Sequence, residues 1–142
     1  MNKTGSKVFL SYASADQQPV RRIAEHLRGA GFQVWDPEQE ILPGADWLSQ
    51  LRGALDSASA VVVFVSPDAM ESRSVAHEIE YALGARHLRG RLIPVLLRPT
   101  KDAPWILQSL APVRYQGPGK TGQQIVELLS EPVNVRQAKR PA

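Results

Sequence analysis

The chain of 142 residues contains no cysteine, which excludes disulfides and thiolate-held metals from its chemistry. It also lacks a long apolar run. The longest, Ala60–Val65 (AVVVFV), falls far short of the roughly 20 residues that a membrane-spanning helix needs. The opening stretch MNKTGSKVFL has no apolar segment of signal-peptide length. A cytoplasmic location without membrane contact is therefore the expectation. An excess of one charge is scarce too: 17 basic residues stand against 14 acidic ones, a net +3. Arg136, Lys139 and Arg140 against Glu131 hold most of that excess, and no aromatic residue is interleaved with them. Residues 131–142 are expected to be a solvated basic tail or linker rather than a nucleic-acid-binding arm. There is no internal repeat and no low-complexity segment.

Several catalytic signatures are missing as well. Gly117-Pro118-Gly119-Lys120-Thr121 has the look of a phosphate loop, but Arg114 stands where the leading glycine is required. A phosphoacceptor carboxylate at the end of the central strand is absent, since Ser66-Pro67 is there, and Ser11-Tyr12 replaces the paired acids that would hold Mg²⁺. His26, His77 and His87 have no metal-ligand spacing, so no metal site is expected. Ser11, Ser14 and Ser66 lack the G-x-S-x-G elbow of serine hydrolases.

What the chain does have is a composition, 43% hydrophobic and 22% charged, that fits one folded domain with a real core. Ala60–Val65 is continuously apolar and rich in β-branched residues, as a strand covered on both faces reads. Residues 7–12 and 32–35 predict two further strands, and Leu92–Leu97 another. Pro94 argues against a fully bonded central position for that last one. Val113–Tyr115 reads as a short edge strand.

Between the strands, Val20, Ile23, Ala24 and Leu27 recur at helical spacing, with Ser14 or Asp16 as the candidate cap and Gly29-Ala30-Gly31 as the stop. Leu48, Leu51, Ala54 and Leu55 mark a second helix. A third spans about Ser72–His87 with Val75, Ile79, Ala82 and Leu83 inward, and Gln123–Leu129 a last one. Asp36–Ala45 (DPEQEILPGA) reads as an acidic loop, and Arg98–Pro112 as a proline-rich connection. Strand–helix alternation implies an α/β layered fold with a parallel sheet. Ligands of such sheets bind beyond the carboxyl ends of the strands, here Ser11–Ser14, Trp35-Asp36 and Ser66-Pro67. On the third helix, periodicity places Glu78 at the flank of the buried face and Glu80 farther round.

Three segments, in order, resemble a Toll/interleukin-1 receptor (TIR) domain. They are Val8–Asp16 (VFLSYASAD), then Val34-Trp35-Asp36 through Leu42-Pro43-Gly44-Ala45-Asp46-Trp47, and finally Val62–Pro67 with Ser74-Val75-Ala76-His77-Glu78-Ile79. The resemblance covers residues 7–130, leaving 1–6 as a disordered N-terminus, and is closer in style to bacterial TIR domains than to animal receptor adaptors. It implies a flavodoxin-like three-layer sandwich with a five-stranded parallel sheet and helices on both faces. It also implies one of two activities. Some members only assemble with other TIR domains to pass a signal. Others cleave NAD⁺ at the nicotinamide–ribose bond, as in bacterial defence, to nicotinamide and ADP-ribose or a cyclic isomer.

The family's catalytic glutamate matches Glu78, while the tryptophan often found four residues earlier is Ser74 here; Trp47 or Trp35 would compensate. NAD⁺ is then substrate rather than cofactor, and one carboxylate suffices because the nicotinamide ring is already cationic and departs without needing a proton, unlike the leaving group of an ordinary glycoside. For the remaining residues a binding role stands beside a structural one. Asp36 would hold ribose hydroxyls or cap a loop. Tyr12 and Trp47 would stack on a ring or pack. Ser11 and Ser14 would meet phosphate at a helix N-terminus or cap it. Arg73 would offset pyrophosphate charge or face solvent. Leu42, Pro43, Gly44 and Asp46 would form the loop that contacts a neighbouring TIR domain. The implied partners are other TIR domains and a fused or separate sensor domain. A non-catalytic interaction module and a nucleoside deoxyribosyltransferase-like enzyme are the competing readings.

Overall fold

The computed structural model describes residues 6–41, 44 and 46–131. At its centre lies β3 (Ala60–Val65), all six residues of which are buried. It is flanked by β1 (Lys7–Ser11) and β4 (Leu92–Leu96), with β2 (Gln33–Trp35) and β5 (Val113–Arg114) at the edges. The order is β2-β1-β3-β4-β5 and every pair is parallel. The parallel sheet is the one expected from the alternation of elements, and its five strands are those of the flavodoxin-like fold that the TIR resemblance implies.

Phe9 registers with Val61 and Leu10 with Val62, so successive side chains enter opposite layers. Val8, Leu10, Val62, Phe64 and Ile93 pack against α1 (Gln17–Gly29) and α7 (Pro118–Ser130). Phe9, Val61, Val63 and Val65 pack against α3 (Trp47–Ser57) and α5 (Arg73–Gly84). The two apolar clusters, one on each face, make the three layers. The glycine stop after α1 is a Schellman turn. Gly31 takes φ +100°, Phe32 N–H donates to Leu27 O at 3.1 Å, and Gly31 N–H donates to Arg28 O at 3.0 Å.

Local departures from the sequence reading have identifiable causes. The Asp36–Ala45 segment is not all loop: α2 (Pro37–Glu40) forms a single turn, with Pro37 at its start and Asp36 Oδ1 accepting from Glu38 N–H at 3.0 Å. Ser66 likewise caps a short helix, α4 (Pro67–Met70), and α6 (Trp105–Gln108) interrupts the proline-rich connection. Neither Ser14 nor Asp16 caps α1 through its side chain; the chain enters by a 3₁₀ turn, Ser14–Asp16, and both side chains bond elsewhere. The third helix ends at Gly84, before a 3₁₀ turn at Arg86–Leu88, and Leu83 is 45% exposed. Leu48 is also exposed. The last helix begins at Pro118, ahead of the periodic stretch.

Pro94 lies in an interior strand after all. Leu97 N–H donates to Val65 O, so the odd-numbered residues of β4 face β3 and Pro94 turns its missing N–H towards β5. Pairing with β5 starts only at Val95, beyond the lost donor. No described helix is long and apolar enough to cross a membrane. Leu42, Pro43, residues 1–5 and the 132–142 tail lie outside the described residues.

Candidate active site

The order 2-1-3 brings the carboxyl ends of β2, β1 and β3 side by side, the place where the connections diverge to opposite faces. A cleft of about 740 Å³ opens there. Its walls come from the segment after β1 (Tyr12, Ala13, Ser14), from α2 and the stretch between α2 and α3 (Pro37, Glu38, Ile41, Gly44), from Trp47, and from the start of α5 (Ser72, Ser74, Glu78).

The hydroxyls at the end of β1 and just after it share one pattern: each donates to a carboxylate. Ser11 Oγ bonds Glu78 Oε1 at 2.5 Å, Tyr12 Oη bonds Asp36 Oδ1 at 2.6 Å, and Ser14 Oγ bonds Glu38 Oε2. Glu78 is only 2% exposed although it borders the cleft. Burial pushes its carboxyl up to about 7, while the hydroxyls of Ser11 and Ser74 pull the other way. Desolvation wins because two neutral donors replace only part of the water that a charged carboxylate loses. The result is a carboxyl that changes charge near neutrality at the edge of an open cleft. It can stabilise a cation when ionised or give up a proton when not.

Tyr12 is held differently. Burial first, and then the Asp36 carboxylate, drive its phenol far above the ordinary range, so it stays a donor. Asp36 is fully buried. One oxygen takes both Tyr12 and Glu38 N–H, and Oδ2 has no partner among the described residues.

The structure thus brings together Glu78, Tyr12, Ser14, Trp47 and Gly44 at the cleft. It places Ser11 and Asp36 beneath the surface as supports, in contact with Glu78 and Tyr12 rather than with the open volume. Arg73 is exposed at the first turn of α5 and does not line the cleft. Asp46 caps α3, accepting from Ser49 N–H at 3.4 Å and Ser49 Oγ at 2.9 Å. Trp35 stacks on Phe9 with ring centroids 5.2 Å apart, outside the cleft. Among the described residues, no group of three or more acids and histidines could hold a metal ion.

Sequence reasoning misses Glu38. The signal is present in Asp36-Pro37-Glu38, a helix-start pattern that fixes the direction of the third residue, but a density of acids and prolines reads as loop.

Comparison with known proteins identifies the family and the fold. The sequence model of one family, the TIR domain, matches residues 8–129. The 2' cyclic ADP-D-ribose synthase BtTIR of Bacteroides thetaiotaomicron is 32% identical over 97 residues, covering 66% of this chain and 33% of that protein. The stimulator of interferon genes protein of Magallana gigas is 27% identical over 138 residues, covering 94% of this chain and 33% of that protein. The chain therefore spans about a third of the length of these curated relatives. Among solved structures, the TIR domain of the Toll-related receptor TRR-2 of Hydra magnipapillata superposes with a TM-score of 0.74 at 17% identity, covering 87% of this chain and 98% of that one. That last likeness speaks to fold alone.

Proposed function

The chain belongs to the TIR domain family, and from that premise we propose that it cleaves NAD⁺ at the nicotinamide–ribose bond, in bacterial defence signalling, when copies assemble. The observation that carries this reading is Glu78: a buried carboxyl at the margin of a cleft, oriented by Ser11 and tuned to about 7. The name of the Bacteroides relative, a cyclic ADP-ribose synthase, supports the same chemistry.

The bond from the ribose C1′ to the pyridinium nitrogen breaks with its electron pair going to nitrogen, so nicotinamide departs neutral. Positive charge is left on C1′ and the ring oxygen. The ionised Glu78 carboxylate offsets that charge as it forms. A fixed opposite charge in a site with little water stabilises such a transition state by a few kcal/mol. Water then adds at C1′ and releases a proton, giving ADP-ribose; attack by a nucleophile of the same molecule gives a cyclic isomer instead. Tyr12 and Trp47 supply the ring surfaces of the cleft, and Asp36 acts through Tyr12. The test is nicotinamide release from NAD⁺ at high protein concentration. Release by wild type and its loss in Glu78→Gln is the expected outcome. Equal rates in the two proteins, or none in wild type even when clustered, would overturn the reading.

A second reading, a module that only binds other TIR domains or a sensor domain, is favoured by one observation: Trp105 is 76% and Leu48 65% exposed, apolar surface of the kind that marks contacts between proteins. Light scattering of Trp105→Glu separates the two. Assembly lost together with NAD⁺ cleavage joins them into one function, and assembly without any cleavage leaves the module alone.

A further inference from the structure

Glu38 is exposed on the one-turn helix α2, yet it is held at two points. Its backbone N–H donates to Asp36 Oδ1 at 3.0 Å, and its carboxylate accepts from Ser14 Oγ. An acid that serves only to solvate a helix start needs no such partner, because freezing a long side chain on the surface gains little.

The charge balance of the cleft gives that arrangement a purpose. Two carboxylates, Glu38 and Glu78, line it, and no lysine, arginine or histidine is among the described lining residues. Leu42, Pro43 and Ala45, the residues between Ile41 and Asp46 that fall outside the described set, carry no charge. A pyrophosphate would meet only repulsion beside Glu38. Trp47, half-exposed at 41%, adds an aromatic face to the same volume. Carboxylate and indole together attract a cation, and a flat cationic ring can in addition stack on the indole.

We propose that Glu38 is a specificity-determining residue that makes the cleft select a cationic pyridinium ring over its neutral counterpart. The identity of that ring as the nicotinamide of NAD⁺ rests on the function proposed above. Glu38 then differs in role from Glu78. It attracts the ring before the bond breaks, whereas Glu78 offsets the charge that appears on the sugar. Its removal therefore raises KM more than it lowers kcat.

The experiment compares 1-methylnicotinamide, a cation, with neutral nicotinamide, in NMR titrations that follow the Trp47 indole N–H at pH 7.5. Wild type is expected to bind the cation about tenfold tighter, and Glu38→Gln to lower that ratio at least about threefold, as one exposed charge about 4 Å away accounts for even in water. Substitution at an exposed position leaves the core intact, and a circular dichroism melt of the variant checks this. A ratio unchanged by Glu38→Gln, or no preference in wild type, overturns the inference. Nicotinamide release from NAD⁺, measured on the same samples, keeps the two proposals apart. Release with an unchanged ratio removes the Glu38 role alone. A Glu38-dependent preference without any release removes the NAD⁺ reading and leaves a cation-selective cleft.

Discussion

Ser11 Oγ donates to Glu78 Oε1 at 2.5 Å across 67 residues of sequence, joining the end of β1 to the inner face of α5, and neither side chain is more than 2% exposed. The bond ties the most strongly desolvated acid of the cleft to the central layer of the fold. The contact orients Glu78 and offsets part of the upward push that burial gives its carboxyl.

Glu78 should weaken the fold as pH rises. Its carboxyl sits at about 7 in the native chain against an ordinary 4.5. Between those values the native chain keeps a proton that the unfolded chain releases. Stability from this group is therefore greatest below 4.5, falls through the interval, and stays at its lower level above 7. Glu78→Gln, whose amide oxygen still accepts from Ser11, is expected to exceed wild type by about 2–3 kcal/mol at pH 8 and by under about 1 kcal/mol at pH 5. Urea unfolding at the two pH values checks this, and a pH-independent difference would count against it.

Ser11 is a positioning residue, and Ser11→Ala is expected to lower kcat for NAD⁺ about tenfold, the equivalent of one lost hydrogen bond to a charged group. The sharper readout is the pH profile. Ser11 pulls the Glu78 carboxyl downward, so without it the acid limb of the rate profile, which rises through about 7 as Glu78 ionises, moves to higher pH. A purely structural loss lowers the plateau without moving the limb.

Arg98 bridges two acids of unequal burial. It bonds Asp16, 3% exposed, and Asp68, 51% exposed, each at 2.8 Å. Ser66 Oγ also donates to the Asp16 carboxylate, at 2.5 Å. Arg98→Ala leaves a buried charge short of its counterion and is expected to destabilise by about 1–3 kcal/mol. Asp68→Ala removes an exposed partner and should stay under about 0.5 kcal/mol. Denaturant melts of both variants test the asymmetry; equal effects would refute it.

Two helical glycines should respond oppositely to alanine. A Cβ on Gly122 would lie 2.7 Å from His26 Cβ, at the base of a side chain on α1 that cannot swing aside. A Cβ on Gly53 in α3 meets nothing within 4 Å. Gly53→Ala is expected to stabilise by about 0.5–1 kcal/mol through helix propensity, and Gly122→Ala to destabilise by about 1–3 kcal/mol through overpacking of α1 against α7. Thermal melts of the pair give the comparison.

The legible part of the fold follows from periodicity. An unbroken apolar run rich in β-branched residues at 60–65 fits a strand covered by two layers, and the apolar spacing of α1 places Val20, Ile23 and Leu27 in the core. Elements of one turn are not legible in the same way. Helices α2, α4 and α6 have too few residues for a period to show, although the capping pairs Asp36-Pro37 and Ser66-Pro67 mark two of them. The exposure of Leu48 and Leu83 is hidden for another reason, since a residue can stand at the margin of an apolar stripe and still lack a neighbour to cover it.

Sequence alone determined the layered α/β class, the strands, a ligand site beyond their carboxyl ends, and the place of Glu78 on the flank of its helix; of the three strand ends it named, Ser66-Pro67 does not line the cleft. These follow from local spacing and from the handedness of parallel crossovers, which need no knowledge of distant contacts. Tertiary structure decided what each polar side chain does there. By position Ser11, Tyr12 and Ser14 read as groups for a ligand, but the fold brings a carboxylate to each hydroxyl from residues 67, 24 and 24 positions away. A hydroxyl can donate only one proton, and its partner is settled by packing across layers rather than by position along the chain.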